Sequence, residues 1–333
     1  MRQYLILFRP YGILFLGLTP VFSAIANSEF SLFPLILLCI IGFLVHIFTF
    51  AQNDYYDVEI DRKSIYVSNR PLSSGTISQK IVLILFVSCF ILSLIITAIA
   101  FFSLPSFFTL LLTFLLITIY NKYSKYYFGM EYVLSAGVFT FGIFGAITAS
   151  NNISNLAILV STFGFMQWLF SVGISANLKD VEFDSKQGIR TTPIILGVKA
   201  IDKNLQIPAT FKVYSFLIKI LHISVAFFSF LFGYTSIFIY NLPIPGICFL
   251  LISALLIYLT WKILSTPITQ RDKMLIYIGL QEGLAFLLIP ITLLSYLIEK
   301  ISIIPTISLI LIIILWPILT FRMLFGKRMI PLE

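Results

Sequence analysis

The chain has 333 residues, of which 59% are hydrophobic and only 11% are charged, and its formal net charge is +8. A water-soluble domain of this length needs far more charge on its surface, so the composition excludes that class of protein. The apolar residues come in runs of roughly 18–25, long enough to cross about 30 Å of hydrocarbon as helices. We therefore predict an all-α, polytopic membrane bundle.

Ten candidate membrane spans follow one another along the chain, with boundaries approximate to a few residues. They lie at roughly 10–26, 32–50, 79–102, 105–120, 130–149, 155–177, 212–240, 243–263, 273–298 and 302–324.

Positive charge is concentrated in the connections on one side of these spans. Of the 22 Lys and Arg residues, 20 lie there, Lys327 and Arg328 of the C-terminal segment among them. Such an excess is typical of the cytoplasmic side, so we expect both termini and the basic loops to be cytoplasmic. The orientation of the chain in the membrane then explains the positive net charge, and we expect no nucleic-acid partner. Lys219 and His222 lie inside the seventh span, and we expect their side chains to reach the cytoplasmic edge.

Two acidic stretches follow the second and sixth spans on that same side. They read NDYYDVEID at 53–61 and KDVEFD at 179–184. Residues three or four apart share a helix face, which aligns the polar side chains of each stretch into one stripe. The first stripe contains Asn53, Asp54, Asp57 and Asp61, and the second contains Asp180 and Asp184.

Like charges at this spacing repel each other, and more strongly at a low-dielectric membrane edge. A hard divalent cation would relieve the repulsion, because Mg²⁺ prefers carboxylate oxygens and often binds substrate phosphates as well. Each stretch is followed by an arginine, Arg70 or Arg190, that can bind phosphate oxygens. The pattern predicts two metal sites that hold one polyanion. Ordinary solvated loop acids and a cation-coupled transporter are the alternatives.

The wider pattern resembles the UbiA-type intramembrane prenyltransferases. NDYYDVEIDRKSIYVSNRPLSSG at 53–75 resembles the first aspartate-rich motif of that family, and KDVEFDSKQGIRTTP at 179–193 resembles the second. YNKYSK at 120–125 is similar to the tyrosine–lysine element after the family's fourth helix. The resemblance covers about residues 5–300.

The resemblance implies one prenyltransferase domain over residues 1–333, with nine helices around a central cavity and an active site on the cytoplasmic side. The span at about 302–324 would then be an additional tenth helix. The implied reaction is Mg²⁺-dependent transfer of a polyprenyl group from an allylic polyprenyl diphosphate to a hydrophobic or amphipathic acceptor. We expect the acceptor to be an aromatic ring of the quinone-precursor type. A glycerol-phosphate lipid, as in archaeal ether-lipid synthesis, is the alternative acceptor.

The resemblance also assigns expected roles to individual residues. The expected metal ligands are Asn53, Asp54, Asp57, Asp61, Asp180 and Asp184. The five aspartates are expected to be catalytic together with Tyr120, whose ring would stabilise an allylic cation. The expected diphosphate-binding residues are Arg70, Lys125, Lys179 and Arg190. The expected acceptor-binding residues are Arg9, His46 and Glu282, the last because acids inside spans are costly and tend to face a cavity.

Overall fold

A computed structural model describes residues 2–201 and 204–326 of the chain, and these ranges are mostly helical. In chain order the helices are α1 (Arg2–Ala26), α2 (Leu32–Asp61), α3 (Gln79–Ala100), α4 (Leu104–Tyr123), α5 (Met130–Ala149), α6 (Asn155–Lys179), α7 (Val181–Lys186), α8 (Thr192–Ile195), α9 (Ala209–Leu231), α10 (Ile244–Ser265), α11 (Ile268–Thr292), α12 (Leu294–Ile301) and α13 (Ile303–Phe325). All except α7, α8 and α12 are long and apolar enough to cross a membrane. The prediction of an all-α polytopic membrane protein is confirmed, and α13 is the expected additional helix.

Several helices extend beyond the predicted spans or end before them. Helix α1 begins at Arg2 rather than near residue 10, α2 continues to Asp61 rather than ending near residue 50, and α9 ends at Leu231. The predicted limits followed hydropathy, whereas backbone hydrogen bonding continues through polar residues at a helix end. The C-terminal Lys327 and Arg328 lie outside the described residues.

A short hairpin occupies the long connection before α9. Strands β1 (Lys199–Ile201) and β2 (Asn204–Gln206) pair antiparallel, with Ala200 opposite Leu205. The sequence predicted only helices, so this hairpin is an unexpected addition.

The described residues form two compact units. Of the described residues, the first unit contains 2–123, 136–161 and 315–326, and the second contains 124–135, 162–201 and 204–314. The expectation of a single domain stays a prediction.

In the first unit, α2 packs against α1, α3 and α4. Two glycines allow the closest approach, because a Cβ added to Gly42 would lie 2.0 Å from the carbonyl oxygen of Gly17. Small residues at helix contacts are typical of membrane bundles, where close packing replaces the hydrophobic effect between helices. This packing places the C-terminal end of α2, which carries the first acidic stretch, beside the start of α1.

In the second unit, α11 packs against α9 and α10. Its core includes the fully buried side chains of Phe170, Phe211 and Ile263. Helix α6 contains a π-helical segment, Ser171–Ala176, and ends just before Asp180. Such segments widen one helical turn and often lie near functional sites. Here the π segment directly precedes the second acidic stretch.

Candidate active site

The acids of the first stretch are buried at the C-terminal end of α2. Asp54, Asp57 and Asp61 are 3%, 7% and 6% exposed, respectively. Asn53 donates a hydrogen bond from Nδ2 to Oδ2 of Asp57 over 3.2 Å. Because buried carboxylates need compensating partners, these acids are not ordinary solvated loop residues.

Two arginines compensate these carboxylates. Nη2 of Arg9 lies 2.5 Å from Oδ1 of Asp54, while Nη1 of Arg70 lies 3.5 Å from the same oxygen and 3.2 Å from Oδ2 of Asp61. Three carboxylates and two guanidinium groups leave this set with a net charge of −1 when all are ionised. We call Asn53, Asp54, Asp57, Asp61, Arg9 and Arg70 the first acidic cluster.

Arg9 reaches this cluster from a break in α1. Its backbone is left-handed, with φ 49°, and Pro10 follows it. A left-handed conformation is costly for a residue with a Cβ. The guanidinium lies 4.6 Å from the centre of the Phe50 ring in addition to its contact with Asp54, and both interactions offset that cost. The structure places Arg9 on a carboxylate of α2, and its predicted acceptor-binding role stays a prediction.

His46 packs beneath this arginine. Its Nε2 lies 3.0 Å from the carbonyl oxygen of Phe8, and its ring centre lies 4.6 Å from that of Phe50. The imidazole is fully buried and joins α1 to α2 next to Arg9. Its predicted contact with an acceptor stays a prediction.

Helix α4 is attached to α2 one turn before the acidic cluster. Asn121 donates to the carbonyl oxygen of Thr49 and to Oε1 of Gln52, each over 3.0 Å. Sequence reasoning named the adjacent Tyr120, which is half-buried, and missed both amides. The sequence did contain a signal for this contact, because Gln52 and Asn121 are polar amides near the predicted cytoplasmic ends of the second and fourth apolar spans.

The second acidic stretch is compensated by three cationic side chains. Asp180 lies in the turn between α6 and α7, where Oδ1 is 2.9 Å from Nη2 of Arg271 and Oδ2 is 3.0 Å from Nζ of Lys179. Arg271 also donates to the carbonyl oxygen of Lys179. Asp184 is buried, and its Oδ1 lies 3.9 Å from Nζ of Lys125.

We call Lys125, Lys179, Asp180, Asp184 and Arg271 the second acidic cluster. Its two carboxylates and three cationic groups have a net charge of +1 when all are ionised. Sequence reasoning counted Arg271 only towards topology and missed its contact with Asp180. The spacing of the two acids is helical, since the amide of Asp184 donates to the carbonyl oxygen of Asp180 over 2.9 Å.

Electrostatics keep Asp180 ionised. Burial opposes its charge, but the neighbouring Lys179 and Arg271, and the hydrogen bond from Arg271, outweigh burial and lower the pKa of Asp180 to about 2. The carboxylate is therefore charged across the physiological pH range and available as an oxygen ligand.

Arg190 differs from the other predicted phosphate-binding residues. Its side chain is exposed, and it makes no hydrogen bond or ion pair with the described part of the chain. The neighbouring Thr192 instead donates a hydrogen bond to Oε1 of Glu131, a buried acid that sequence reasoning missed. An added Cβ on Gly173 would meet Cγ of Glu131 at 3.0 Å, so Glu131 also packs against the π segment of α6.

Glu282 belongs to a different, apolar part of the second unit. Its Oε2 accepts a hydrogen bond of 2.6 Å from Nε2 of Gln167, and it attracts the ammonium group of Lys219. Lys219 and His222 are both 0% exposed, so the expectation that they reach the membrane edge is wrong. Nζ of Lys219 lies 3.3 Å from Nδ1 of His222 and 3.8 Å from the centre of the Phe170 ring. These contacts stabilise the Lys219 side chain in the protein interior.

The donor chemistry of the acidic clusters fits Mg²⁺, although the described residues hold no preformed metal cage. Over 2–201 and 204–326, no group of three or more His, Cys, Asp or Glu side chains is arranged to hold a metal ion. The clusters nevertheless offer buried carboxylate oxygens and the amide of Asn53, and Mg²⁺ uses one or two carboxylates together with substrate phosphates rather than an all-protein cage. These residues are therefore suitable ligands for a cation that arrives with a diphosphate.

Comparison with known proteins shows which family the sequence matches. The sequence model of the UbiA prenyltransferase family matches residues 14–279. A digeranylgeranylglyceryl phosphate synthase from Methanosphaera stadtmanae is 31% identical over 201 residues, which are 60% of this chain and 71% of that protein. A 4-hydroxybenzoate octaprenyltransferase from Francisella tularensis subsp. novicida is 29% identical over 149 residues, 44% of this chain and only 51% of that relative.

Solved structures share the fold. A UbiA homologue from Aeropyrum pernix has a TM-score of 0.64 at 14% identity, covering 87% of this chain and 98% of the other. A UbiA homologue from Archaeoglobus fulgidus bound to GPP and Mg²⁺ has a TM-score of 0.55 at 20% identity, covering 86% and 99%. With the family match over residues 14–279, these comparisons confirm the predicted family, and the chain belongs to the UbiA prenyltransferase family.

Proposed function

We propose that the chain transfers a polyprenyl group from an allylic polyprenyl diphosphate to a lipophilic acceptor, with Mg²⁺ as the cofactor. The observation that supports this most is the first acidic cluster, in which buried carboxylates and guanidinium groups lie together at one helix end. Metal ions bind to carboxylates, whereas phosphate oxygens bind to guanidinium groups. Family membership favours this enzyme over the transporter alternative.

In this proposal Asn53, Asp54, Asp57 and Asp61 hold one Mg²⁺, and Asp180 and Asp184 hold another. When bound, Mg²⁺ supplies positive charge that stabilises the departing diphosphate. The donor's C–O bond breaks, its electron pair leaves with the diphosphate, and an allylic cation remains. The acceptor donates an electron pair to this cation and then loses a proton.

The cationic side chains act on the diphosphate. Arg9 and Arg70 bind carboxylate oxygens at 2.5 and 3.2 Å, and the same guanidinium donors would bind oxygens of the diphosphate. Lys125, Lys179 and Arg271 give the second acidic cluster a net positive charge that suits a polyanion. Arg190, exposed beside this cluster, remains a proposed further contact.

The allylic cation needs protection from water. Tyr120, half-buried near the end of α4, is the proposed aromatic group that stabilises the cation through its π face. Apolar surroundings exclude water, which would otherwise convert the cation to an alcohol. The apolar helices also provide an environment for the donor's polyprenyl tail.

For the acceptor we propose an aromatic ring first and a glycerol-phosphate lipid second. The octaprenyltransferase relative is named for 4-hydroxybenzoate, which supports the first, and the synthase relative is named for digeranylgeranylglyceryl phosphate, which supports the second. The two acceptors differ in charge and in the nucleophile, an aromatic carbon or a hydroxyl oxygen.

The test combines purified protein, Mg²⁺ and labelled geranylgeranyl diphosphate with 4-hydroxybenzoate or geranylgeranylglyceryl phosphate. We expect diphosphate release and a labelled product with one of the two acceptors. Asp57→Asn and Asp180→Asn should each lower turnover at least 100-fold. Glu59→Gln is the matched control, because Glu59 lies on the same helix as Asp57 but is exposed, and among the described residues it pairs only with Arg62, at 2.7 Å.

Full turnover by both aspartate variants would contradict the proposed site. A lack of product with every acceptor and donor length tried would contradict the proposed reaction.

We also propose that the acidic clusters face the cytoplasm, as the distribution of Lys and Arg indicates. Arg190→Cys would place a thiol in the exposed loop after the second stretch. A membrane-impermeant maleimide should label this variant in inverted vesicles and not in right-side-out vesicles. Labelling only in right-side-out vesicles would reverse the orientation.

A further inference from the structure

Four polar side chains form a cluster in the middle of the apolar helices of the second unit. Lys219 is the eleventh residue of the 23-residue helix α9, and Gln167 is the thirteenth residue of the 25-residue helix α6. Glu282 lies near the centre of α11, and His222 lies one turn after Lys219. At 1.5 Å per residue these positions are roughly 14–21 Å from the helix ends, close to the middle of the hydrocarbon core. We call Gln167, Lys219, His222 and Glu282 the buried polar cluster.

Hydrogen bonds within this cluster leave specific atoms without a partner. An ionised Lys219 ammonium group can donate and cannot accept, so Nδ1 of a neutral His222 accepts from it and the imidazole proton lies on Nε2. That Nε2–H has no hydrogen-bond partner among the described residues, nor do Oε1 of Gln167 and Oε1 of Glu282. One donor and two acceptors therefore remain, on side chains that belong to three helices.

Charge balance restricts what can bind to these atoms. Lys219 and Glu282 attract each other, and the charges of this ionised pair sum to zero. An anionic ligand would add an uncompensated charge near the middle of the membrane, which is costly. The occupant is therefore neutral.

Hydrogen-bond matching restricts it further. A hydroxyl group has one proton to donate and two lone pairs that accept, so it can bind a carboxylate or amide oxygen and the imidazole N–H together. A ketone cannot donate and would leave both acceptor atoms unsatisfied. Aromatic rings pack against the cluster, since the ring centres of Phe163 and His222 lie 4.1 Å apart and the Phe170 ring lies beside Lys219.

We propose that the buried polar cluster binds the hydroxyl group of a neutral, lipophilic alcohol or phenol. Both acceptors considered for the prenyl transfer are anionic, so we assign the cluster to a different, neutral membrane component. The inference is independent of the proposed prenyl transfer, because binding at these residues requires neither Mg²⁺ nor a diphosphate.

The test compares two probes that differ by one hydroxyl group, 4-nonylphenol and nonylbenzene. Added at saturation to the purified, metal-free protein in detergent, 4-nonylphenol should raise the Tm by roughly 3 °C or more. Nonylbenzene should not. Equal effects of the two probes would overturn the proposal and indicate that the polar atoms bind only water.

A double variant, Lys219→Met with Glu282→Leu, removes both charges while it keeps apolar volume. Replacing a buried ion pair with apolar residues is often neutral or stabilising, so this variant should fold. We expect it to lose the difference between the probes, whereas Lys212→Met, an exposed position on the same helix, should retain it. If the double variant still showed a larger rise in Tm with 4-nonylphenol than with nonylbenzene, the buried polar cluster would not be the binding site.

Turnover assays identify the source of the natural ligand. Inhibition by 4-nonylphenol that is independent of the acceptor concentration is expected for a separate neutral membrane ligand, whereas competition with an anionic acceptor would contradict the requirement for a neutral occupant.

Discussion

Arg271 binds Asp180 across 91 residues of sequence, with Nη2 of the guanidinium 2.9 Å from Oδ1 of the carboxylate. The same side chain donates to the carbonyl oxygen of Lys179, so it holds both the backbone and the side chain of the turn that ends α6. A planar group with several donors in a fixed geometry suits this task better than a lysine.

Replacement of Arg271 tests whether this turn positions a catalytic carboxylate. A charge-assisted hydrogen bond contributes about 1.5–3 kcal/mol, so Arg271→Leu should lower kcat/KM for the diphosphate donor roughly 10- to 100-fold. Arg271→Lys should recover only part of the loss. Steady-state diphosphate release measures the effect.

The control for this substitution is Lys186→Ala. Lys186 pairs with Glu182 at 2.8 Å on the exposed side of α7, and such surface pairs contribute little. If Lys186→Ala lowered kcat/KM as much as Arg271→Leu does, any cation near the second stretch would have the same effect. That result would contradict a specific role for Arg271.

Removal of Arg9 should make the first acidic cluster depend on a divalent cation. Arg9→Leu leaves Asp54 with only the longer contact to Arg70, so we expect a loss of about 3 kcal/mol in stability. Mg²⁺ should then raise the Tm of Arg9→Leu more than that of the unaltered protein, because a bound cation replaces the lost positive charge.

Arg62→Leu is the matched control for Arg9, since Arg62 forms an exposed pair with Glu59 at the same helix end. Its Tm and its response to Mg²⁺ should equal those of the unaltered protein. A response of Arg9→Leu to Mg²⁺ no larger than that of this control would argue against cation binding at Asp54.

Removal of divalent cations should stop the reaction and leave the fold intact. Excess EDTA should abolish diphosphate release, and Mg²⁺ should restore it, because the carboxylates need the cation to bind the donor. Thermal unfolding monitored in parallel should show that the helices persist without metal. Persistent turnover in EDTA would rule out the proposed cofactor.

Close packing of α1 and α2 depends on Gly42. Gly42→Ala would place a Cβ 2.0 Å from the carbonyl oxygen of Gly17, so the helices must separate and the protein should lose about 1–3 kcal/mol. Gly279→Ala is the control, because an added Cβ there meets nothing within 4 Å and alanine favours a helix. Equal Tm values for the two variants would contradict this account of the packing.

Part of the candidate site could be predicted from the sequence alone. The carboxylates of 53–61 and 179–184 share helical spacing, and the structure buries Asp54, Asp57, Asp61 and Asp184. The compensating contacts of Arg9 and Arg271 could not be predicted, because each joins residues far apart in sequence. The positive-inside rule explained Arg271 as a topology signal, and the family resemblance assigned Arg9 to the acceptor, so neither gave a reason to look for an ion pair.

The second stretch shows the limit of a helical pattern. Asp180 and Asp184 were expected to share one helix face where the sixth span ends, whereas a π-helical segment at Ser171–Ala176 and a turn at Asp180 precede Asp184. Periodicity predicts which residues share a face only while the helix stays regular. The relative orientation of side chains before and after the π segment therefore depends on the residues that pack around it, and the buried Glu131 is one of them.

The sequence by itself determined the membrane class, the ten apolar helices, the family motifs and the two acidic stretches, because hydropathy and helical spacing are local properties of the chain. Tertiary structure alone decided that Arg9 and Arg271 contact carboxylates, and that Lys219 and His222 are buried with Glu282 instead of reaching the membrane edge. These outcomes depend on which helices pack together, and the partners of a buried charge come from distant parts of the chain.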